Sequence, residues 1–303
     1  MNPSALFLNS PLILSDFYSQ QTGANVWLKM DALQPSGSFK ARGMGHACAR
    51  YYQQGARRFI ASSGGNAGLA VAYAGAQLGA EVLVIVPRTT KARAIDLIER
   101  QGAQVEVHGE NWNQAHEYAL SLVDEHSAYL HPFDDPLIWE GHASLIDEVV
   151  AAGLAPDTVV LSVGGGGLLR GIALGLERNG LLGTQIIAAE TRGAASLAAA
   201  KSAGKRVSID GIESIASSLG ARQIAQAAFE VAQRPTTHSC VVSDTQAVQG
   251  CKTLLDEHRV LTEPACGASI AALSQSSEIA LGSNVLVVVC GGVGMSVQGL
   301  MAL

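Results

Sequence analysis

Cysteine is scarce in this sequence, and its few copies are scattered. Five cysteines occur, an odd number, and none lies in a C-x-x-C pair: Cys48, Cys240, Cys251, Cys266 and Cys290. This spacing argues against a disulfide framework and against a zinc knuckle. We therefore expect a reduced, cytoplasmic protein.

Runs of basic residues and long apolar runs are also missing. The formal net charge is −6 and no cluster of Lys or Arg appears, which makes nucleic acid and anionic membranes poor partners. Apolar runs such as VLVIV and NVLVVVC are far shorter than the roughly 18 residues of a membrane helix. The opening residues, MNPSALFLNSPLILSDF, lack the basic segment of a signal peptide. A small molecule is the expected partner.

What the sequence does contain is an alternation of short apolar strands with helical segments. Its 303 residues, 48% of them hydrophobic, allow a large core and two domains. Helical spacing marks Leu69 to Leu78 and Leu168 to Leu176. This alternation predicts an α/β fold with mostly parallel sheets covered on both faces. The predicted strands span residues 57–62, 81–87, 104–108, 158–163, 184–190 and 284–290.

One strand–glycine turn–helix–strand theme occurs twice. FIASSGGNAGLAVAYAGAQLGAEVLVIVP and VVLSVGGGGLLRGIALGLERNGLLGTQIIAAE both follow it, which predicts two sheets, each with a binding turn at the carboxyl end of a strand. The proline-rich stretch 131–144 is the expected domain crossing. We predict a large cofactor-binding domain, 1–40 with 136–303, and a small inserted domain, 41–135.

The four glycines Gly164–Gly167 leave a strand and open a helix, a pattern typical of a phosphate site. Leu168 and Leu169 follow where a P-loop needs Lys and Ser or Thr. Gly164 and Gly166 fit part of a dinucleotide motif, and Glu190 ends the next strand near where a ribose-binding acid would lie. An NAD site is therefore an alternative at this point.

Two further stretches suggest a different cofactor. SSGGNAG, residues 62–68, forms a second turn that suits a small carboxylate. Lys40 follows PSGSF at a predicted helix start, where a helix N-terminus and apolar neighbours disfavour an ammonium. A reactive amine together with a phosphate site that lacks its own lysine suggests pyridoxal phosphate held as a Schiff base. Cys290, at the end of a buried strand, is either plain core packing or a neutral group at a pyridine nitrogen.

Six segments in this order resemble the pyridoxal-phosphate-dependent L-serine/L-threonine dehydratases, and most closely the short serine dehydratases of the mammalian liver type. The resemblance covers nearly the whole chain. It implies a fold-type-II enzyme like the β-subunit of tryptophan synthase, which eliminates water and ammonia from L-serine and L-threonine, and a homodimer. The segments are PSGSFKARG, SSGGNAG, PFDDPLIWEGHAS, SVGGGGLL, EPACGA and VVVCGG.

The resemblance also implies roles for individual residues. Lys40 would be the Schiff-base lysine and the Cα base, and Phe39 would cover one face of the cofactor ring. Ser63, Gly64, Gly65 and Asn66 would hold the substrate carboxylate, with Asn66 also near the ring hydroxyl. The remaining cofactor contacts would be Gly164, Gly165, Gly166, Gly167, Leu168, Ser218 and Cys290. A monovalent cation, potassium, would be surrounded by Glu190, Ala194, Leu219 and Ala221.

Two positions depart from the liver pattern. Gly64 stands where that type has alanine, and Ser218 where it has a small apolar residue. Serine racemases place a proton-donating serine at the position of Gly64, so glycine argues against racemisation. Glycine also predicts a looser loop. An NAD-dependent oxidoreductase and a non-catalytic amino-acid sensor remain the alternatives, and the preference between serine and threonine is open, because one methyl group is worth only about 1–3 kcal/mol.

Overall fold

A computed structural model describes residues 6–275 and 279–303. Its strands are β1 (Leu12–Leu14), β2 (Asn25–Lys29), β3 (Arg58–Ala61), β4 (Glu81–Val86), β5 (Gln104–Val107), β6 (Ser127–Leu130), β7 (Thr158–Ser162), β8 (Gln185–Thr191), β9 (Thr237–Val242) and β10 (Asn284–Val288). Its helices are α1 (Asp16–Thr22), α2 (Lys40–Gln53), α3 (Asn66–Leu78), α4 (Ala92–Glu99), α5 (Trp112–Ser121), α6 (Pro136–Ala151), α7 (Gly167–Arg178), α8 (Ser196–Ala203), α9 (Gln226–Ala232), α10 (Asp244–His258), α11 (Pro264–Gln275) and α12 (Val297–Met301).

The strands form two sheets. A six-stranded sheet has the order β1-β2-β10-β7-β8-β9, in which only β1 pairs antiparallel. A four-stranded sheet has the order β5-β4-β3-β6 and is parallel throughout. The predicted α/β class with two mostly parallel sheets is confirmed.

The chain divides into two compact units, each built around one of the sheets. The described part of unit 1 comprises residues 6–8 and Gln34–Gly141, and unit 2 comprises Asn9–Leu33 and His142–Leu303. Residues 6–8, 34–40 and 136–141 thus group with the four-stranded sheet, whereas the sequence prediction placed them in the large domain. The reason is that Lys40 begins α2, which packs against α3 in unit 1.

Continuous apolar strands account for the centre of each sheet. All five residues of β7 are buried, as are five of the six in β4, which is what a parallel sheet covered on both faces requires. Among the described residues, no helix is long and apolar enough to cross a membrane.

A buried ion pair ties β2 to α6 within unit 2. Lys29 Nζ lies 2.6 Å from Glu148 Oε2, and the two side chains are 1% and 13% exposed. Lys29 Nζ also donates to the Ser10 carbonyl at 2.6 Å. Removing one partner of such a pair leaves a charge in a site that water hardly reaches.

We expect Lys29→Met to lower the free energy of unfolding by about 3–5 kcal/mol, because Glu148 loses the cation that compensates its burial. The double variant Lys29→Met/Glu148→Leu should lose less than Lys29→Met alone. Urea denaturation followed by circular dichroism measures both. A double variant as unstable as the sum of its single changes would contradict this account.

Candidate active site

Lys40 lies at the start of a helix, as the sequence predicted. It is the first residue of α2, and Phe39 before it provides no side-chain cap. The half-buried amine donates to the carbonyl of Pro132 at 2.5 Å and lies 5.1 Å from the centroid of the Phe39 ring. The amine is therefore held in a defined place in unit 1.

The loop between β3 and α3 contains the residues predicted to bind a carboxylate. Ser63, Gly64 and Asn66 are partly accessible and Gly65 is exposed. The Gly65 N–H donates to Ser63 Oγ at 3.3 Å, and Asn66 begins the 13-residue helix α3. The first N–H groups of a helix lack partners within it and carry positive potential, so this loop can bind an anion.

A chain of short hydrogen bonds begins at Ser62, directly before this loop. Ser62 is fully buried, and its Oγ lies 2.6 Å from the hydroxyl of Tyr129. That hydroxyl lies 2.6 Å from His116 Nδ1, and the His116 ring stacks on Trp112 with centroids 4.7 Å apart. Burial raises the pKa of Tyr129 to about 12 and lowers the pKa of His116. The chain is therefore uncharged at neutral pH.

The glycine loop after β7 packs so closely against its neighbours in unit 2 that side chains would not fit. A β-carbon on Gly164 would lie 3.1 Å from Leu219 Cα, and one on Gly166 would lie 2.2 Å from Ala228 Cβ. Gly166 also has φ of 92°, in the left-handed region. Gly167 opens the 12-residue helix α7, which no side chain caps. This arrangement fits the phosphate of pyridoxal phosphate, bound by N–H groups alone.

Cys290 is a buried, neutral thiol in unit 2. It follows β10, and a hydrogen bond with Cys266 together with burial raises its pKa well above the ordinary value. Cys266 lies in the first turn of α11, and it accepts from Cys290 and from the Gly291 N–H. A neutral sulfur would not favour protonation of a pyridine nitrogen beside it, whereas a carboxylate would.

Glu190 is the second-to-last residue of β8 and is fully buried. Its two carboxylate oxygens accept the N–H groups of Leu197 at 2.7 Å and Ala198 at 2.8 Å, at the start of α8. Burial raises the pKa of Glu190 to about 7, although both hydrogen bonds oppose that shift. Glu190 therefore caps a helix, a role that the sequence did not reveal.

The other predicted cation ligands also lie in unit 2. Ala194 ends the short helix Arg192–Ala194 directly after β8, and Leu219 ends Ser217–Leu219. The Leu219 carbonyl accepts from the Ala221 N–H at 2.7 Å, and the exposed Ser218 has its carbonyl 3.1 Å from a β-carbon position on Gly164. Among the described residues no group of three His, Cys, Asp or Glu side chains could hold a metal, so a cation here would depend on carbonyl oxygens.

Sequence reasoning missed Thr90, His116, Tyr129 and His131. Thr90 is the clearest case: a β-carbon on Gly64 would lie 2.5 Å from Thr90 Cγ2 and 3.0 Å from Thr90 Oγ1. Gly64 thus leaves room for a threonine from the loop after β4. Glycine itself cannot donate a proton, but the Thr90 side chain brings a hydroxyl close to this position. Residues so far apart in the chain give no local signal of their contact.

We expect Gly64→Ala to destabilise the protein by about 1–3 kcal/mol, because the new methyl group overlaps Thr90. Adding Thr90→Ser, which removes Cγ2, should recover part of the loss. Gly65→Ala is the matched control, since its β-carbon would meet only Ser63 Oγ at 3.9 Å. Thermal unfolding of the four proteins measures this. If Gly64→Ala lost the same stability with and without Thr90→Ser, the overlap with Thr90 Cγ2 would not be its cause.

We expect Tyr129→Phe to cost about 1–3 kcal/mol, because it leaves the buried Ser62 hydroxyl without its partner. Ser62→Ala/Tyr129→Phe should cost less than the two single changes together. Tyr73→Phe, which removes a hydroxyl outside this chain of bonds, is the control. Urea denaturation gives the values, and strict additivity would show that the Ser62–Tyr129 bond carries no coupling.

Comparison with known proteins gives a consistent result over the whole chain. Residues 4–291 match the family model described as pyridoxal-phosphate dependent enzyme. The chain is 42% identical to human L-serine dehydratase/L-threonine deaminase, covering 100% of this chain and 96% of that protein. It is 38% identical to L-serine dehydratase of Dictyostelium discoideum, covering 96% and 90%. The crystal structure of an L-serine ammonia-lyase from Rhizomucor miehei superimposes with a TM-score of 0.90 at 30% identity, covering 98% of each chain.

Proposed function

Because the chain belongs to the family of pyridoxal-phosphate-dependent enzymes, we propose that it is an ammonia-lyase acting on L-serine and L-threonine. L-Serine would yield pyruvate and ammonia, and L-threonine would yield 2-oxobutanoate and ammonia. The observation that carries the proposal is the full-length similarity to L-serine dehydratase/L-threonine deaminase. The glycine loop of unit 2 supports it, because it offers backbone N–H groups and no P-loop lysine.

Unit 1 would supply the reacting amine and the substrate contacts. Lys40 is the amine for the cofactor's aldehyde and afterwards the group that accepts the Cα proton. Phe39 packs on the ring, Asn66 donates to the ring hydroxyl, and the loop Ser63–Asn66 binds the substrate carboxylate at the N-terminus of α3. The buried Ser62–Tyr129–His116 chain keeps that loop in place.

Unit 2 would bind the phosphate and the ring nitrogen. Residues 164–168 offer backbone N–H groups to the phosphate, Ser218 lies beside the ring, and Cys290 faces the nitrogen. When bound, the cofactor supplies the electron-withdrawing system that makes the Cα proton acidic enough to remove. A neutral Cys290 stabilises no positive charge on the nitrogen, which favours prompt loss of the β-hydroxyl over other outcomes.

We expect Lys40→Ala to reduce pyruvate formation from L-serine to background, because no other lysine lies beside a motif that carries this role. The visible absorption of lysine-bound pyridoxal phosphate should disappear, and borohydride should no longer label the peptide that contains residue 40. Lys205→Ala, which removes an exposed lysine, is the control and should behave as the wild type. Full activity in Lys40→Ala after gel filtration would refute the assignment.

A potassium ion near Glu190 is part of the proposal. Hard oxygen ligands, here one carboxylate and the carbonyls of Ala194, Leu219 and Ala221, suit such an ion. Activity should be higher in potassium chloride than in tetramethylammonium chloride at equal ionic strength. Glu190→Gln keeps an acceptor for α8 but removes the charge, so it should abolish the difference. Equal wild-type activity in the two salts would argue against the ion.

Two further proposals rest on the scattered cysteines, for the location, and on the resemblance, for the oligomeric state. We propose that the protein is a cytoplasmic homodimer, and light scattering of the purified protein would measure the dimer directly. The ratio of kcat/KM for L-serine and L-threonine would establish the preferred substrate.

A further inference from the structure

The turn after β6, which the sequence suggested only as a domain crossing, is fixed by an unusual use of a histidine. His131 Nδ1 accepts the N–H of Asp134 at 2.8 Å and the N–H of Phe133 at 3.3 Å. The indole N–H of Trp139 donates to the Phe133 carbonyl at 2.8 Å. The peptide groups of Phe133 and Asp134 are therefore held by two side chains, His131 and Trp139.

Asp135 anchors the next residue of the turn. Its Oδ1 accepts the N–H of Leu137 at 2.7 Å, and its Oδ2 accepts the Tyr51 hydroxyl at 2.7 Å. Tyr51 belongs to α2, the helix that begins with Lys40. The turn and the lysine-bearing helix are thus joined by a direct hydrogen bond within unit 1.

Pro132 lies inside this fixed turn. Proline has a restricted φ, and the Pro132 carbonyl belongs to the same peptide unit as the Phe133 N–H that donates to His131. That carbonyl accepts Lys40 Nζ at 2.5 Å. Rotation of the Pro132 carbonyl away from Lys40 would break the hydrogen bonds that His131 makes one residue further along.

We propose that His131 is a positioning residue for Lys40: by accepting the Phe133 and Asp134 N–H groups, it aims the Pro132 carbonyl at the lysine amine. A lysine side chain loses rotamer freedom when it is confined, and a carbonyl in the right place holds the amine near its point of action whenever the amine is not bonded to the cofactor. The inference relies on the proposed function for the proton transfer assigned to Lys40.

The surroundings of His131 keep its acceptor available. Its ring lies edge-on to Phe133, with centroids 4.7 Å apart, and to His116, with centroids 5.7 Å apart. Burial, together with the charges of His116 and Lys40, lowers the pKa of His131 to about 4. The ring is therefore neutral at neutral pH. Since Nδ1 accepts, the proton resides on Nε2.

Replacing His131 by Asn and by Leu separates the acceptor from the rest of the ring. Asn Oδ1 can accept the same N–H groups, as in an Asx turn, whereas Leu accepts nothing. We expect His131→Leu to lower kcat by about 10- to 100-fold with KM nearly unchanged, because the substrate loop is untouched. The primary isotope effect with L-serine deuterated at Cα should rise. His131→Asn should restore both values to near those of the wild type.

His131→Gln keeps a polar side chain but places its acceptor one methylene further from the backbone. It should therefore behave like His131→Leu, and it replaces His131→Leu in the test if that variant does not fold. Wild-type kcat and isotope effect in a folded Leu or Gln variant would overturn the inference. So would an Asn variant as impaired as Leu.

A second measurement does not depend on turnover. Pyridoxal phosphate is added to each full-length protein stripped of cofactor, and the growth of the visible absorption of lysine-bound cofactor is followed by stopped flow. We expect the lysine-bound cofactor to form at least several-fold more slowly in His131→Leu and His131→Gln than in His131→Asn and the wild type. If this order holds while the wild type releases no pyruvate, the proposed function fails and the positioning role stands. Equal rates in all four proteins would refute the positioning role.

Discussion

The loop after β3 in unit 1 and the loop after β7 in unit 2 each depend on the parallel pairing of the strand that precedes them. β3 is paired on both sides by β4 and β6, and β7 by β10 and β8. A strand with parallel neighbours on both sides has its backbone groups satisfied, and its following loop must leave at the carboxyl edge of the sheet. The positions of the loops Ser62–Gly65 and Val163–Gly166 are therefore set by the hydrogen bonds of the sheets, independently of the loops' own side chains.

Neither of the helices that follow these loops has a side-chain cap. The helices α3 and α7 begin with Asn66 and Gly167, and the first N–H groups of a helix have no partner within the helix itself. Cys290 is neutral, and the Ser62–Tyr129–His116 chain carries no charge at neutral pH. Lys40 is likewise held by a neutral acceptor, the carbonyl of Pro132.

Apolar runs and glycine turns made most of the fold predictable. All of the predicted strands were found, and α2 begins at Lys40 as expected. The missed strands β1, β2, β6 and β9 lack that signal: β1 has three residues, and β9 contains Thr237, His238 and Ser239. Three of the four, β1, β6 and β9, lie at sheet edges. Edge strands need no continuous apolar run, because one side and often one face meet solvent.

The site was predictable only where a motif is local. Lys40 and the two glycine loops are contiguous segments, whereas the bond between Ser62 and Tyr129 spans 67 residues and that between Lys40 and Pro132 spans 92. Such contacts arise from strand order: β3 and β6 are neighbours in the sheet although β4 and β5 separate them in the chain. Without the topology, no pattern pairs these residues.

Glu190 is a buried carboxylate on which burial and hydrogen bonding act in opposite directions. Burial disfavours its charge, while two N–H donors at the start of α8 favour it, and the pKa near 7 shows that burial prevails. A cation beside this carboxylate would add to the forces that favour ionisation. The charge on Glu190 thus depends on a balance between burial and two hydrogen bonds, whereas Cys290 stays neutral because burial and the Cys266 contact both disfavour its charge. Unit 2 therefore combines one buried group on which opposing effects act with another on which they act in the same direction.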